Sequence, residues 1–568
     1  MNQHPIKFFE RYEILPRAQQ KHVVDQIAEN WNKYKYFALS LPTGVGKTYI
    51  STAIADSIDK AYILTSTLQL QDQYMKSWSE LINLKGRGNY TCNLNQNFTV
   101  DAAPCSVCPD LLKQCMVQGM CAYYNQKKAA IASKAMITNP VYMLYSTHCG
   151  FAKEDETWVK RDALIIDEAH NVENHLVQFA ESDIDPELYH NDFGVKTQNI
   201  VFCERPEENY FKIVEIYEIL QRKAQELAEK MQSEFPQNSL VGTDARKWAR
   251  GFNDKVAEKV RKLNSKIYQL DKAIQPLKIF FNTHSTPEEL ISRWIVSKSP
   301  DKNSLKIAPI YGDFLFKEYF GKLSDKFIFL SATLGSKSEF CKELGIKESE
   351  CLYIETDSPF DPMKSPIISM PSIKLSKDHY DQNVKKIGGI IDDILDIHKG
   401  QRGIIHSVTY DIQKHIFMGV STKNQKRLLC RDMDVLLTAH SGKNSYAKKY
   451  KNDELLEKHE KYGKLNGSVL LSPSMMEGVD LHDDLADFQI IIKLPWANLG
   501  DVRVNKKSKI DPDWYKNRMW LNILQASGRS TRHEEDTSVT YILDSNFDYF
   551  LKEWQINLPK WFLDRLVR

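Results

Sequence analysis

The sequence predicts an α/β protein with two parallel-sheet lobes, and three observations carry that prediction. Tyr36-Phe-Ala-Leu-Ser40 is a short apolar run followed by a glycine turn through Gly44 and Gly46, which reads as strand, turn and helix. Ala163-Leu-Ile-Ile-Asp167 is a continuous apolar strand that ends in two adjacent carboxylates, Asp167 and Glu168. Further apolar strands at Phe327 to Leu334, Gly403 to Ser407 and Val469 to Asp480 follow, and the one at Gly403 opens a second sheet.

Each element also carries chemistry. In Pro42-Thr43-Gly44-Val45-Gly46-Lys47-Thr48 the two glycines let the backbone curl so that its N–H groups point at phosphate oxygens. Lys47 brings a charge for the β- and γ-phosphates, and the Thr48 hydroxyl can hold Mg²⁺. Leu41 stands where the general phosphate-loop pattern has its first glycine. Asp167 can hold the same metal through its water shell, and Glu168 can orient and deprotonate an attacking water. The alternative reading of that strand is an ordinary acidic helix N-terminus. The later strands end in Ser331-Ala-Thr333 and in Glu477, Gly478 and Asp480, and Gln525-Ala-Ser-Gly-Arg529-Ser-Thr-Arg532 sets two arginines three apart.

In this order the motifs resemble a superfamily 2 helicase of the XPD/DinG group, and the match runs from Arg17 to Asp544. The resemblance implies two RecA-like parallel-sheet lobes, with an iron–sulfur insert and a helical Arch insert in the first. It implies that Gln20, in Arg17-Ala-Gln-Gln20, contacts the adenine of ATP, where the plain reading is a helix-capping glutamine. It assigns Gln525, Arg529 and Arg532 to the catalytic set, the arginines as fingers that neutralise transition-state charge, and places Asp480 with the nucleotide. The partners implied are single-stranded DNA and forked or tailed duplex DNA, with translocation 5′ to 3′, as a monomeric motor of the kind used in DNA repair.

Five of the ten cysteines lie between Cys92 and Cys121, between the phosphate loop and Asp167-Glu168-Ala-His170. Their spacing is Cys92-x₁₂-Cys105-x₂-Cys108-x₁₂-Cys121, with Cys115 in addition. A Cys-x₂-Cys pair with two flanking cysteines is a four-thiolate shell, which suits Zn²⁺ and an iron–sulfur cluster alike. Leu84-Lys-Gly-Arg-Gly-Asn-Tyr-Thr-Cys92 and Cys121-Ala-Tyr-Tyr124 resemble the flanks of the XPD-like iron–sulfur domain. That resemblance implies a [4Fe–4S] cluster on Cys92, Cys105, Cys108 and Cys121. Cys115-x₅-Cys121 also resembles DinG-type spacing, which would put Cys115 in place of Cys105 or Cys108.

Ile213, Tyr217, Leu220, Ala224, Leu227 and Met231 recur at helical steps, as do Trp248, Phe252, Val256, Val260, Leu263, Ile267, Leu270 and Ile274. Two long amphipathic helices are expected, either as the Arch insert or as a coiled-coil dimeriser. The expected divisions are 1–85, 135–175 and 289–342 for the first lobe, 86–134 for the iron–sulfur insert, 176–288 for the Arch and 343–568 for the second lobe.

The net charge of +2 places any nucleic-acid surface in a local groove. Basic runs at Lys443 to Lys451 and Arg503 to Lys509 could line a phosphate track or be solvated loops. No apolar run is long enough to cross a bilayer, and Met1 to Arg17 lacks a signal-peptide core, so a cytoplasmic location is expected, nucleoid-associated in a bacterium or phage and nuclear in a eukaryote. Two rival readings stand beside the helicase: a zinc-containing DEAH-type RNA-directed ATPase, and a nucleic-acid-binding scaffold with a vestigial ATPase.

Overall fold

The computed structural model describes residues 1–94, 96, 98–103, 105, 112, 115–148, 158–234, 254–283, 292–430, 452–473, 485–528 and 534–567. Its strands, in chain order, are β1 (Tyr36–Ser40), β2 (Ala61–Leu64), β3 (Leu81–Asn83), β4 (Ala135–Thr138), β5 (Arg161–Asp167), β6 (Ser182–Ile184), β7 (Trp294–Lys298), β8 (Leu305–Pro309) and β9 (Ser324–Ser331). They continue as β10 (Cys351–Glu355), β11 (Ile367–Ile373), β12 (Gly403–His406), β13 (Leu428–Leu429), β14 (Val469–Ser472), β15 (Phe488–Ile491), β16 (Val539–Asp544) and β17 (Leu566–Val567).

Among the described residues the first lobe is a seven-stranded sheet in the order β10-β1-β9-β5-β2-β4-β3, and every pairing in it is parallel. The second is a seven-stranded sheet in the order β13-β14-β12-β15-β16-β11-β17, again parallel throughout. The apolar runs read from the sequence are buried on both faces, as parallel strands covered by helices must be: all five residues of β1 and all four of β12 are buried.

The two long helices form as expected, at Tyr210–Glu234 and Asp254–Asn282, and pack on each other. Ile213, Leu220, Leu227, Leu263, Ile267, Leu270 and Ile274 are buried in the first lobe's core cluster, so the apolar stripe is spent within the chain. Trp248 and Phe252 lie outside the described residues.

Two expected boundaries need correction. β10 hydrogen-bonds to β1, from Tyr36↔Cys351 to Ser40↔Glu355, so the first lobe runs through Glu355 and the second begins after it, not at 343. Residues 294–309 do not join the first lobe's parallel sheet; β7 and β8 make an antiparallel sheet with β6. Among the described residues no helix is long and apolar enough to cross a membrane.

Candidate active site

The order β1-β9-β5 sets three carboxyl ends side by side, and the site grows from them. Ser40 aligns with Ser331, and Asp167 aligns with Leu330. The loop after β1 turns through Gly44 (φ +81) and Gly46 (φ +84), left-handed conformations that only glycine adopts without strain, and the helix Lys47–Asp56 starts directly behind them. The Lys47 ammonium donates to the Leu41 carbonyl, 3.4 Å away, which draws it back over the loop.

Gln20 is buried against this loop. Its Oε1 accepts from the Arg17 backbone N–H at 2.8 Å, and its Nε2 donates to the Gly46 carbonyl at 3.4 Å. It therefore caps its own helix, the plain reading of that residue, and braces the phosphate loop as well. A Cβ on Gly46 would lie 2.4 Å from Gln20 Nε2, which explains the second glycine.

Asp167 closes β5 almost fully buried. One carboxylate oxygen accepts from Tyr74 Oη at 2.9 Å and the other from the Glu168 backbone N–H at 2.9 Å. Burial, then the neighbouring Glu168 charge, pushes its pKa up to about 6, against a smaller pull from Lys47. A carboxyl held in this way is one that a neighbouring positive charge would favour in its ionised form. Glu168 itself sits in the left-handed region at φ +52, a strained backbone for a side chain of this kind and one that sites of chemistry tolerate.

His170 links this corner to the rest of the site. Asn171 Nδ2 lies 2.8 Å from His170 Nε2, an arrangement that leaves the ring proton on Nδ1, which lies 2.8 Å from Ser331 Oγ and 3.3 Å from a Glu168 carboxylate oxygen. Ser331 Oγ accepts from the Thr333 N–H at 3.1 Å, and Thr333 Oγ1 accepts from Gln525 Nε2 at 3.2 Å. Arg518 reaches the His170 carbonyl at 3.4 Å. A hydrogen-bond chain thus runs from the carboxylates of the first lobe to the helix Pro512–Ser527 of the second.

Of the residues expected in the site, Gln20, Pro42 to Thr48, Asp167, Glu168 and Gln525 are brought to this junction. Asp480, Arg529 and Arg532 lie outside the described residues, although the described chain reaches Gly528. Tyr74 and His170 received no role from the sequence. His170 stood beside the carboxylates, but nothing local marked Tyr74.

In the cysteine segment, Arg87 Nη2 donates to Tyr124 Oη at 3.1 Å, so the stretches leading into and out of the segment lie together. Cys92, Cys115 and Cys121 are buried. Burial and the neighbouring Cys115, Cys92 and Cys121 thiols push Cys105 up to about 12, so these four side chains share one neighbourhood. Four clustered thiols are the kind of donor set a soft metal centre takes. Among the described residues, no three Cys, His, Asp or Glu side chains already stand in a metal-holding arrangement. Cys108 lies outside the described residues.

The second basic run is not a phosphate track at Arg503 and Lys507. Both are buried in the helix Val502–Ile510 and pair with Glu173 of the first lobe, at 2.8 and 2.6 Å. The run Lys443 to Lys451 lies outside the described residues.

The family described as Helicase C-terminal domain matches residues 399–565, and the family described as Type III restriction enzyme, res subunit, matches residues 13–191. A solved structure described as XPD helicase aligns with a TM-score of 0.59 at 15% identity, covering 95% of this chain and 98% of its own. One described as XPD in the apo state gives 0.54 at 14% identity, covering 94% and 97%. Xpd4 of S. tokodaii gives 0.52 at 13% identity, covering 97% and 99%.

Proposed function

From a chain that has the fold of the XPD-like superfamily 2 helicases, we propose an ATP-driven DNA helicase that moves 5′ to 3′ along a single strand and opens forked or tailed duplexes. The observation that carries the reading is the junction of Lys47, Asp167 and Glu168 with Gln525 of the opposite lobe through His170, Ser331 and Thr333. Lys47 holds the β- and γ-phosphates, and Glu168 takes the proton of the water that attacks the γ-phosphorus as the bridging P–O bond breaks. Mg²⁺, when bound at Thr48 and Asp167, offsets the charge that develops on the phosphate oxygens. Arg529 and Arg532 are read as the charge-neutralising fingers of this reaction. The relay lets loss of the γ-phosphate loosen the grip between lobes, which is how hydrolysis becomes movement.

The cysteine segment is read as the seat of a [4Fe–4S] cluster. The crowding of Cys105 with Cys115, Cys92 and Cys121 keeps Cys115 among the candidate ligands beside Cys92, Cys105, Cys108 and Cys121. Such a cluster supplies folding energy to a segment too small to bury an adequate core. The inserted helices Tyr210–Glu234 and Asp254–Asn282 take the Arch position beside the DNA path.

The test is strand displacement on duplexes with 5′ or 3′ tails, run on protein of known iron and sulfide content. Opening from the 5′ tail is expected, and opening only from a 3′ tail refutes the proposed polarity. Cys92→Ser should lose the cluster's visible absorbance and duplex opening while part of the ATPase survives, and the same readings on Cys108→Ser and Cys115→Ser decide which of those two is the fourth ligand. Zinc in place of iron, with RNA the better activator, would establish the RNA-directed alternative.

A further inference from the structure

Arg565 stands where a guanidinium is costly. It is 7% exposed, and burial lowers its pKa to about 10, with no carboxylate paired to it among the described residues. Its Nε donates to the Ser365 carbonyl at 2.6 Å and its Nη1 to the Ser527 carbonyl at 3.1 Å. Nη2 has no acceptor among the described residues. Ser365 belongs to the connection between the lobes, and Ser527 ends the helix that carries Gln525 and leads to Arg529.

The other end of that connection touches the phosphate loop. The Phe360 ring lies where a Gly44 side chain would be: a Cβ there would come within 1.9 Å of Phe360 Cζ. Pro42, Thr43, Phe360, Gly528, Trp561 and Arg565 line a single cleft. One buried cation therefore grips both the connection that rests on the phosphate loop and the turn that precedes the candidate arginine fingers.

We propose that Arg565 is a positioning residue for ATP hydrolysis, clamping the Ser527–Gly528 turn to the inter-lobe connection so that Phe360 on Gly44 and the approach of Arg529 and Arg532 move together. The inference rests on the ATPase reading given above. Phosphates at the loop across the cleft would bring negative charge to the side of the cleft that Arg565 lines. Arg565→Met removes two donors and the charge while keeping most of the volume, and Gln489 Nε2 still reaches the Ser527 carbonyl at 3.3 Å.

Steady-state hydrolysis with single-stranded DNA, measured on the full chain beside its thermal midpoint, tests this. Arg565→Met should lower kcat at least about tenfold while the KM for ATP changes less than about threefold. Arg565→Lys, which keeps the charge but offers one donor group for two carbonyls, should recover part of the loss. Phe360→Leu probes the same connection from the loop side if Arg565→Met does not fold, and should also lower kcat. The Arg565→Met/Phe360→Leu double variant should be little worse than Arg565→Met, because both break one connection. Multiplying losses, or a lowered thermal midpoint with kcat within about twofold of wild type, would overturn the proposal. Lys47→Ala separates the two readings: if it leaves hydrolysis intact, the ATPase assignment has failed, and if it abolishes hydrolysis while Arg565→Met does not, only the clamp has failed.

Discussion

Glu168→Gln is expected to lower ATP turnover by about 10²–10⁴-fold, the usual contribution of a positioned general base, while ATP and single-stranded DNA still bind. The glutamine keeps the size and the turn at φ +52 but cannot accept the water's proton. Its geometry suits the base role better than that of Asp167, which is buried and already accepts from Tyr74 and from the Glu168 N–H. Single-turnover hydrolysis beside equilibrium binding of a fluorescent ATP analogue separates the two quantities. Turnover within about threefold of wild type would move the base elsewhere in the site.

Glu173→Gln is expected to destabilise the protein by about 3–5 kcal/mol, because it removes the carboxylate that two buried cations share. Glu173 is in the first lobe, while Arg503 and Lys507 come from the second. Lys507 also lies 4.3 Å from the Trp514 ring centre and 4.8 Å from that of Tyr311, so its stem and charge are enclosed from both lobes. Burial raises the Glu173 carboxyl, but Lys507 and Arg503 outweigh it and hold the pKa at about 2, with Arg518 also facing it. Glu343 is buried in the same group, pushed up by burial and by the Glu173 charge. Because the pKa falls from 4.5 to about 2 on folding, the stabilisation is complete above pH 4.5 and disappears as the pH drops towards 2. Urea unfolding at pH 7 and between pH 4.5 and 3 checks both statements, and a variant that loses stability with acid as wild type does would count against the pairing.

The parallel lobes were legible because their strands are short, apolar and locally marked, as at β1, β5 and β12. The phosphate loop and the carboxylates after β5 were legible for the same reason, since their chemistry lies within a few consecutive residues. What stayed hidden depends on distant partners. Nothing near Cys351 says that β10 returns to β1, and nothing near Arg565 names Ser365 and Ser527. Arg503 and Lys507 were misread because a basic run states charge but not which face is covered. Their spacing of four was a usable signal, since it puts both on one side of a helix. The cysteine pattern allowed several choices of four from five, and spacing did not separate Cys108 from Cys115.

The order β9-β5 in the first sheet has a consequence for how this chain reaches its native state. These central strands are neighbours, yet the antiparallel sheet and both long helices are strung between them. Closing so long a loop costs entropy before the pairing returns anything, although the cost grows only logarithmically with length. The two long helices pair with each other between these strands in the chain, and that pairing shortens the loop that β9 must close onto β5. β5 pairs with β2 on one edge and with β9 on the other, so a chain that has not yet placed β9 leaves that edge of β5 unpaired. Variants that weaken the helical hairpin should therefore slow refolding of the nucleotide-binding lobe and lower soluble yield, even where the folded enzyme works normally.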